Sequence, residues 1–169
     1  MEEISVSRVM ENMIAYSNGN MHDISHFLKV YAYARTIGIR EGLPQRQQMI
    51  LETAAIVHDI ACPLCRAKYG NADGKHQEEE GGALTRELLG GLALPEDVIS
   101  RVVYLVEHHH TYTNVDGMDY QILLEADFLV NADEGKMDRK AIETTLEKVF
   151  RTATGSSLLS SMYLKVCAE

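Results

Sequence analysis

The stretch TAAIVHDIACPLC, residues 53–65, decides how the chain is read. Ala54, Ala55, Ile56 and Val57 form an apolar run that belongs in a core, and it ends on His58 and Asp59 side by side. An unpaired carboxylate resists leaving water, at a cost of several kcal/mol or more, so something must compensate Asp59. Adjacent helical residues point about 100° apart, so both side chains reach one site only at a helix end that faces a cavity.

The same conflict recurs elsewhere. His26 precedes Val30 by four residues and Ala34 by eight, which puts it on the inward face of a helix expected from Asp23 to about Glu41. Asp127 stands in LLEADFLVNA (123–132) amid Leu123, Leu124, Ala126, Phe128 and Val130. Taken alone, His58-Asp59 also fits a core histidine bonded to a neighbouring acid. Two buried acids with two histidines favour a divalent cation held by two imidazoles and two carboxylates. Mixed nitrogen and oxygen donors suit Mn, Fe, Co, Ni or Zn, with Mg a further choice. His22-Asp23 is a useful contrast: it precedes a helix, and Asp23 is expected as its N-cap.

Apolar residues recur mostly at helical spacing, with no run of alternating strands, so the fold class is all-α. Val6, Val9, Met10, Met13 and Ile14 mark a first helix that stops near Asn18-Gly19. Another begins after Leu43-Pro44 and ends at His58-Asp59; further helices are expected at about 76–90, 95–109, 119–132, 138–151 and 156–167. Leu64–Gly74, with room for one short helix, and Thr111–Gly117 are expected as loops. The 169 residues fit a single-domain helical bundle spanning 1–169.

A net charge of -9 disfavours a nucleic-acid surface. It allows a small anionic substrate, because a bound cation reverses the local field. The sequence shows no apolar stretch near the ~20 residues that cross a bilayer and no basic-then-apolar leader. Three cysteines cannot all pair. The expectation is a cytoplasmic protein with no membrane or nucleic-acid partner. Cys62-Pro63-Leu64-Cys65 is first a pair of buried thiols. A redox role wants a strand–helix context, and a structural zinc would need Cys167 or nearby histidines.

The order His26 … His58-Asp59 … Asp127, in the local texts DISHFLKVYAYA, TAAIVHDIA and LLEADFL, resembles the HD superfamily of metal-dependent phosphohydrolases. The likeness covers about 22–132, with helices at about 138–167 as an added flank. It implies a helical bundle of the HD type, a divalent metal, and hydrolysis of a phosphate monoester or phosphodiester of a small molecule such as a nucleotide. It also implies His26, His58, Asp59 and Asp127 as metal ligands, with Asp59 or Asp127 orienting or deprotonating a metal-activated water.

For a second metal, family members add histidines between the pair and the last aspartate. GKHQEEEGG (74–82) offers His76. In YLVEHHHTY (104–112), His109 follows Leu105 by four and Val106 by three, and is the inward choice; His108, three after Leu105, comes next. Lys29, three residues after His26, is the first candidate phosphate contact, ahead of Arg35, Arg66, Lys68 and Lys75. The Gly-Ser-Ser of TATGSSLL (152–159) is an ordinary helix cap before it is a phosphate cradle. The chain lacks the GYP signature of cyclic-dinucleotide phosphodiesterases, and Cys62 stands where certain nucleotidases of the family carry a glutamate. The alternatives are a dinuclear-iron oxygenase of the same superfamily using His76 and His109, and a non-catalytic ligand-binding module. A homodimer is the default expectation for assembly.

Overall fold

A computed structural model describes residues 2–165, and its regular elements there are all helical. They are α1 (Glu2–Tyr16), α2 (Met21–Arg40), α3 (Gln45–Val57), α4 (Cys62–Tyr69), α5 (Gly74–Gly90), α6 (Glu96–Val106), α7 (Met118–Glu134), α8 (Arg139–Lys148) and α9 (Ala153–Leu159), followed by a π-helical turn at Ser160–Leu164.

The apolar run that opened the sequence reading is the centre of the bundle. Every residue of α3 from Met49 to Val57 is buried, because α1, α2, α6 and α7 surround it. A helix enclosed on all sides needs no polar face. Fully buried side chains such as Leu51 and Ile56 each contribute about 1.5–3 kcal/mol. By length and composition, Gln45–Tyr69 would pass as a membrane span, contrary to the expectation from sequence, but 78% of its apolar window is buried inside the protein. It is a core segment of this bundle. Helix α2 buries Phe27, Val30, Ala34 and Ile37 along one stripe, and α7 is buried continuously from Ile122 to Val130. These two helices and α3 pack together, so residues 26, 58 and 127 converge.

Several boundaries differ from expectation. Asn20, not Asp23, caps α2: its side chain accepts from the Asp23 backbone N–H, and Asp23 sits in the first turn, ion-paired with Arg66. Much of the expected loop at Leu64–Gly74 is α4, stopped by Gly70 in the left-handed conformation (φ 75°). Helix α6 ends at Val106, three residues earlier than anticipated. The loop before α7 exists as expected and is held by Arg101, which donates to both carboxylate oxygens of Asp119 (2.9 and 2.7 Å) and to the Asp116 carbonyl (2.7 Å). Thr152 caps α9 by accepting from the Gly155 N–H, so the Gly-Ser-Ser stretch belongs to a capped helix start. Cys62 and Cys65 are buried free thiols, and burial followed by the Asp59 charge pushes Cys62 well above the usual thiol range. Cys167 lies outside the described residues.

Candidate metal centre

Four elements deliver the site. His26 comes from the second turn of α2, His58 caps the C-terminus of α3, Asp59 follows it, His109 lies in the turn after α6, and Asp127 faces inward from α7. His26 Nε2 lies 3.2 Å from His58 Nε2, 3.2 Å from Asp127 Oδ1 and 3.3 Å from Asp59 Oδ2. His58 Nε2 lies 3.4 Å from Asp127 Oδ1 and 3.5 Å from Asp59 Oδ1. The four residues named from sequence therefore meet in one cluster. His26, His58 and Asp127 are buried, while the Asp59 side chain is 25% exposed and opens the cluster to solvent.

The opposite ring nitrogens fix how these histidines are used. His58 Nδ1 donates to the Ala55 carbonyl (2.8 Å) and His109 Nδ1 to the Val106 carbonyl (2.7 Å), since a carbonyl only accepts. His26 Nδ1 donates to Glu134 Oε2 at 2.8 Å. In the neutral rings every Nε2 then carries a lone pair, and all three point at carboxylate oxygens. His109 Nε2 is buried with no hydrogen-bond partner among the described residues, 3.3 Å from Asp59 Oδ1. A buried centre lined only by acceptors fits a cation, and its mixed nitrogen and oxygen donors fit a divalent one.

Without a metal, protons on the rings must balance the acids. Burial works against a charged His26, yet the hydrogen bond to Asp127 and the charges of Asp59 and Asp127 raise it to about 9. His58 is raised too, against burial, chiefly by Asp59. Burial works against ionising Asp59 and Asp127, but His58 holds Asp59, and His26 and then His58 hold Asp127, well below the usual carboxylate range.

A family model of the HD domain matches residues 23–148, well over half the chain. The chain belongs to the HD domain family. No curated protein matches it. The family match continues past the last aspartate through α8.

Two metal-capable groups lie in this HD domain. His26, His58 and Asp59 form one, with Asp127 beside them; Asp59, His109 and His110 form the other, each group offering ligand atoms within 4.8 Å of one another. The second group contains His109, and has His110 where His76 and His108 were also offered. His76 stacks on Tyr69 (ring centroids 3.8 Å apart) on the side of α5 that faces α4. His108 stacks on Tyr104 (4.1 Å) and gives Nδ1 to the Tyr104 carbonyl. His109 is the fully buried ring of the three, and the His110 ring lies 4.0 Å from it, centroid to centroid. The His110 ring lies over Gly74, where an added Cβ would meet His110 Cγ at 2.7 Å, and its Nε2 is buried with no hydrogen-bond partner among the described residues. Burial and then neighbouring His109 lower His110 to about 4, so near neutrality the ring has no second proton to lose. Glu78 secures this turn by accepting from the His110 backbone N–H and the Thr111 hydroxyl, both at 3.0 Å.

The basic residues offered for phosphate contact are engaged elsewhere. Lys29 pairs with Glu134 (2.8 Å), Arg35 with Glu52 (2.7 Å), Arg66 with Asp23, Lys68 with Glu80, and Lys75 with Glu79 (3.9 Å). Glu134 was not singled out from the sequence, and His110 was offered with His108 and His109 but not chosen. Glu134 was findable from its spacing, seven residues and two helical turns after Asp127.

Proposed function

We propose that this HD domain is a metal-dependent phosphohydrolase acting on a phosphate ester of a small molecule, a nucleotide included. The observation that carries the reading is the convergence of three imidazole nitrogens and two carboxylates on one buried cluster. His26, His58, Asp59 and Asp127 would hold one divalent cation. Asp59, His109 and His110 would hold a second, and Asp59 suits the shared position because its two oxygens lie against different histidines. When bound, such a cation lowers the pKa of a water and stabilises charge on phosphoryl oxygens.

The chain's own residues supply the rest. The Nδ1 bonds keep each ring aimed. Asp127, sealed from solvent, contributes fixed negative charge. Asp59 is the acid that solvent reaches, so it is positioned to orient an incoming water. With Lys29 held by Glu134, neutralising the substrate phosphate falls to the bound cation.

The test is turnover of p-nitrophenyl phosphate and a nucleotide panel by protein loaded with Mn or Co. Expected is hydrolysis that disappears, together with bound metal, in His58→Ala and Asp127→Ala. Full metal occupancy without turnover of any phosphate ester would sink the hydrolase reading and leave a ligand-binding module. Two irons with oxygen consumption would replace it with an oxygenase.

A further inference from the structure

His26 is gripped from both sides by one helix. Asp127 of α7 faces its Nε2 at 3.2 Å, and Glu134, the last residue of α7, accepts from its Nδ1 at 2.8 Å. The second oxygen of Glu134 lies 2.8 Å from Lys29 Nζ, and Lys29 is one turn beyond His26 on α2. The result is a chain of contacts, Lys29–Glu134–His26, ending at the ring nitrogen that faces the cluster.

His26 needs this support in a way the other two histidines do not. His58 and His109 each donate to a carbonyl three residues back, near a helix end where carbonyls are free of the backbone ladder. His26 sits in the second turn of α2, where the carbonyls behind it already accept backbone N–H groups of the helix, so its acceptor must come from another element. A carboxylate acceptor also makes the opposite nitrogen a stronger donor to a metal. The Lys29–Glu134 pair is partly open to water, with Lys29 43% exposed, and such pairs add little stability. Its contribution is orientation: Lys29 occupies one carboxylate oxygen, which leaves the other directed at His26.

We propose that Glu134 is a positioning residue for a metal bound at His26, holding the ring with its Nε2 lone pair toward the cluster, and that Lys29 orients Glu134. This rests on the metal-centre reading above. It gives Lys29 a role behind the site in place of phosphate contact.

Calorimetric titration with Zn²⁺ of metal-free wild type, Glu134→Leu, Glu134→Gln and Lys29→Met tests it. Nitrogen-15 NMR of the imidazoles is recorded on the same samples, and melting curves check that each is folded. Expected is a zinc affinity weakened about 10–100-fold in Glu134→Leu. The His26 Nδ1 proton, visible in wild type, should be lost to solvent exchange in that variant. Glu134→Gln, whose amide oxygen still accepts, should recover most of the affinity, and Lys29→Met should fall between. A purely structural latch between α2 and α7 would lower the melting temperature while leaving zinc affinity and the Nδ1 proton unchanged, which overturns the inference. Should Glu134→Leu not fold, Lys29→Met decides: a raised Kd supports the role and an unchanged one overturns it. Wild type that binds no zinc removes the metal-centre reading and this inference together; tight wild-type binding with an unaffected Glu134→Leu removes this inference alone.

Discussion

His26 Nε2 and His58 Nε2 face each other at 3.2 Å, and each ring has already given its Nδ1 hydrogen to another acceptor. Two lone pairs at that distance repel unless something positive joins them. In the metal-free protein that role falls to a proton, with Asp59 and Asp127 close enough to favour it. A divalent cation meets the same need with more charge, and several consequences can be measured.

Divalent metal should stabilise the fold. At a free concentration near one hundred times Kd, a ligand specific to the native state adds about 2.7 kcal/mol. For a chain of this size that raises Tm by roughly 5–11 °C. Melting curves with and without Mn²⁺ or Zn²⁺, reversed by chelator, check this; identical curves argue against a native-state metal site.

Metal uptake should release protons. His26 is raised to about 9, so at neutral pH the ring carries a proton that the metal must displace. Affinity therefore climbs with pH, about tenfold per unit for each proton displaced, and levels off as His26 loses its proton near 9. The metal-free fold responds in the opposite sense. A raised histidine gives stability that is complete below its unfolded value of about 6.5 and is lost as pH rises through about 9. Calorimetry in buffers of different ionisation enthalpy counts the protons, and a pH-independent Kd contradicts the assignment.

The histidines should separate by metal stoichiometry. His76→Ala and His108→Ala are expected to leave metal content unchanged, because both rings stack on tyrosines outside the two metal-capable groups. His109→Ala and His110→Ala should cost the second equivalent. Gly74→Ala should act like His110→Ala, since its methyl would occupy the space of that ring. Elemental mass spectrometry on the purified variants reads the outcome.

Glu125 should be a stability determinant remote from the chemistry. This fully buried carboxylate accepts from Gln121 (2.8 Å), the Arg151 N–H (2.7 Å), the Thr152 N–H (3.0 Å) and the Thr152 hydroxyl. Glu125→Ala strands those donors and should cost about 3–5 kcal/mol. Urea denaturation measures the loss, and hydrogen exchange should show it first in the turn from Phe150 to Thr152.

Ligand-type residues inside apolar helices were legible because burial and charge contradict each other at Asp59 and Asp127. That contradiction needs no knowledge of the fold. His110 was not legible, because the 3.6-residue period was carried past Val106, where α6 stops and the backbone turns. Beyond that point the period still points to His109, which is fully buried, but not to His110, which joins it in the second group in place of His108. Glu134 shares a helix face with Asp127 by its spacing, but its partner is 108 residues away on another helix. The partners of the basic residues were illegible for a similar reason, since each ion pair is a contact between side chains rather than a property of composition. Asp23 was displaced as a cap by Asn20, three residues earlier, where two residues of similar capping strength compete.

The carbonyls that receive the Nδ1 hydrogens of His58 and His109 belong to the helices α3 and α6 themselves. Those rings are therefore aimed when the helices form, before any ion arrives, and they stay aimed after one leaves. A metal held there would leave two aimed rings behind it, and which ion took its place would depend on supply as well as on the donors.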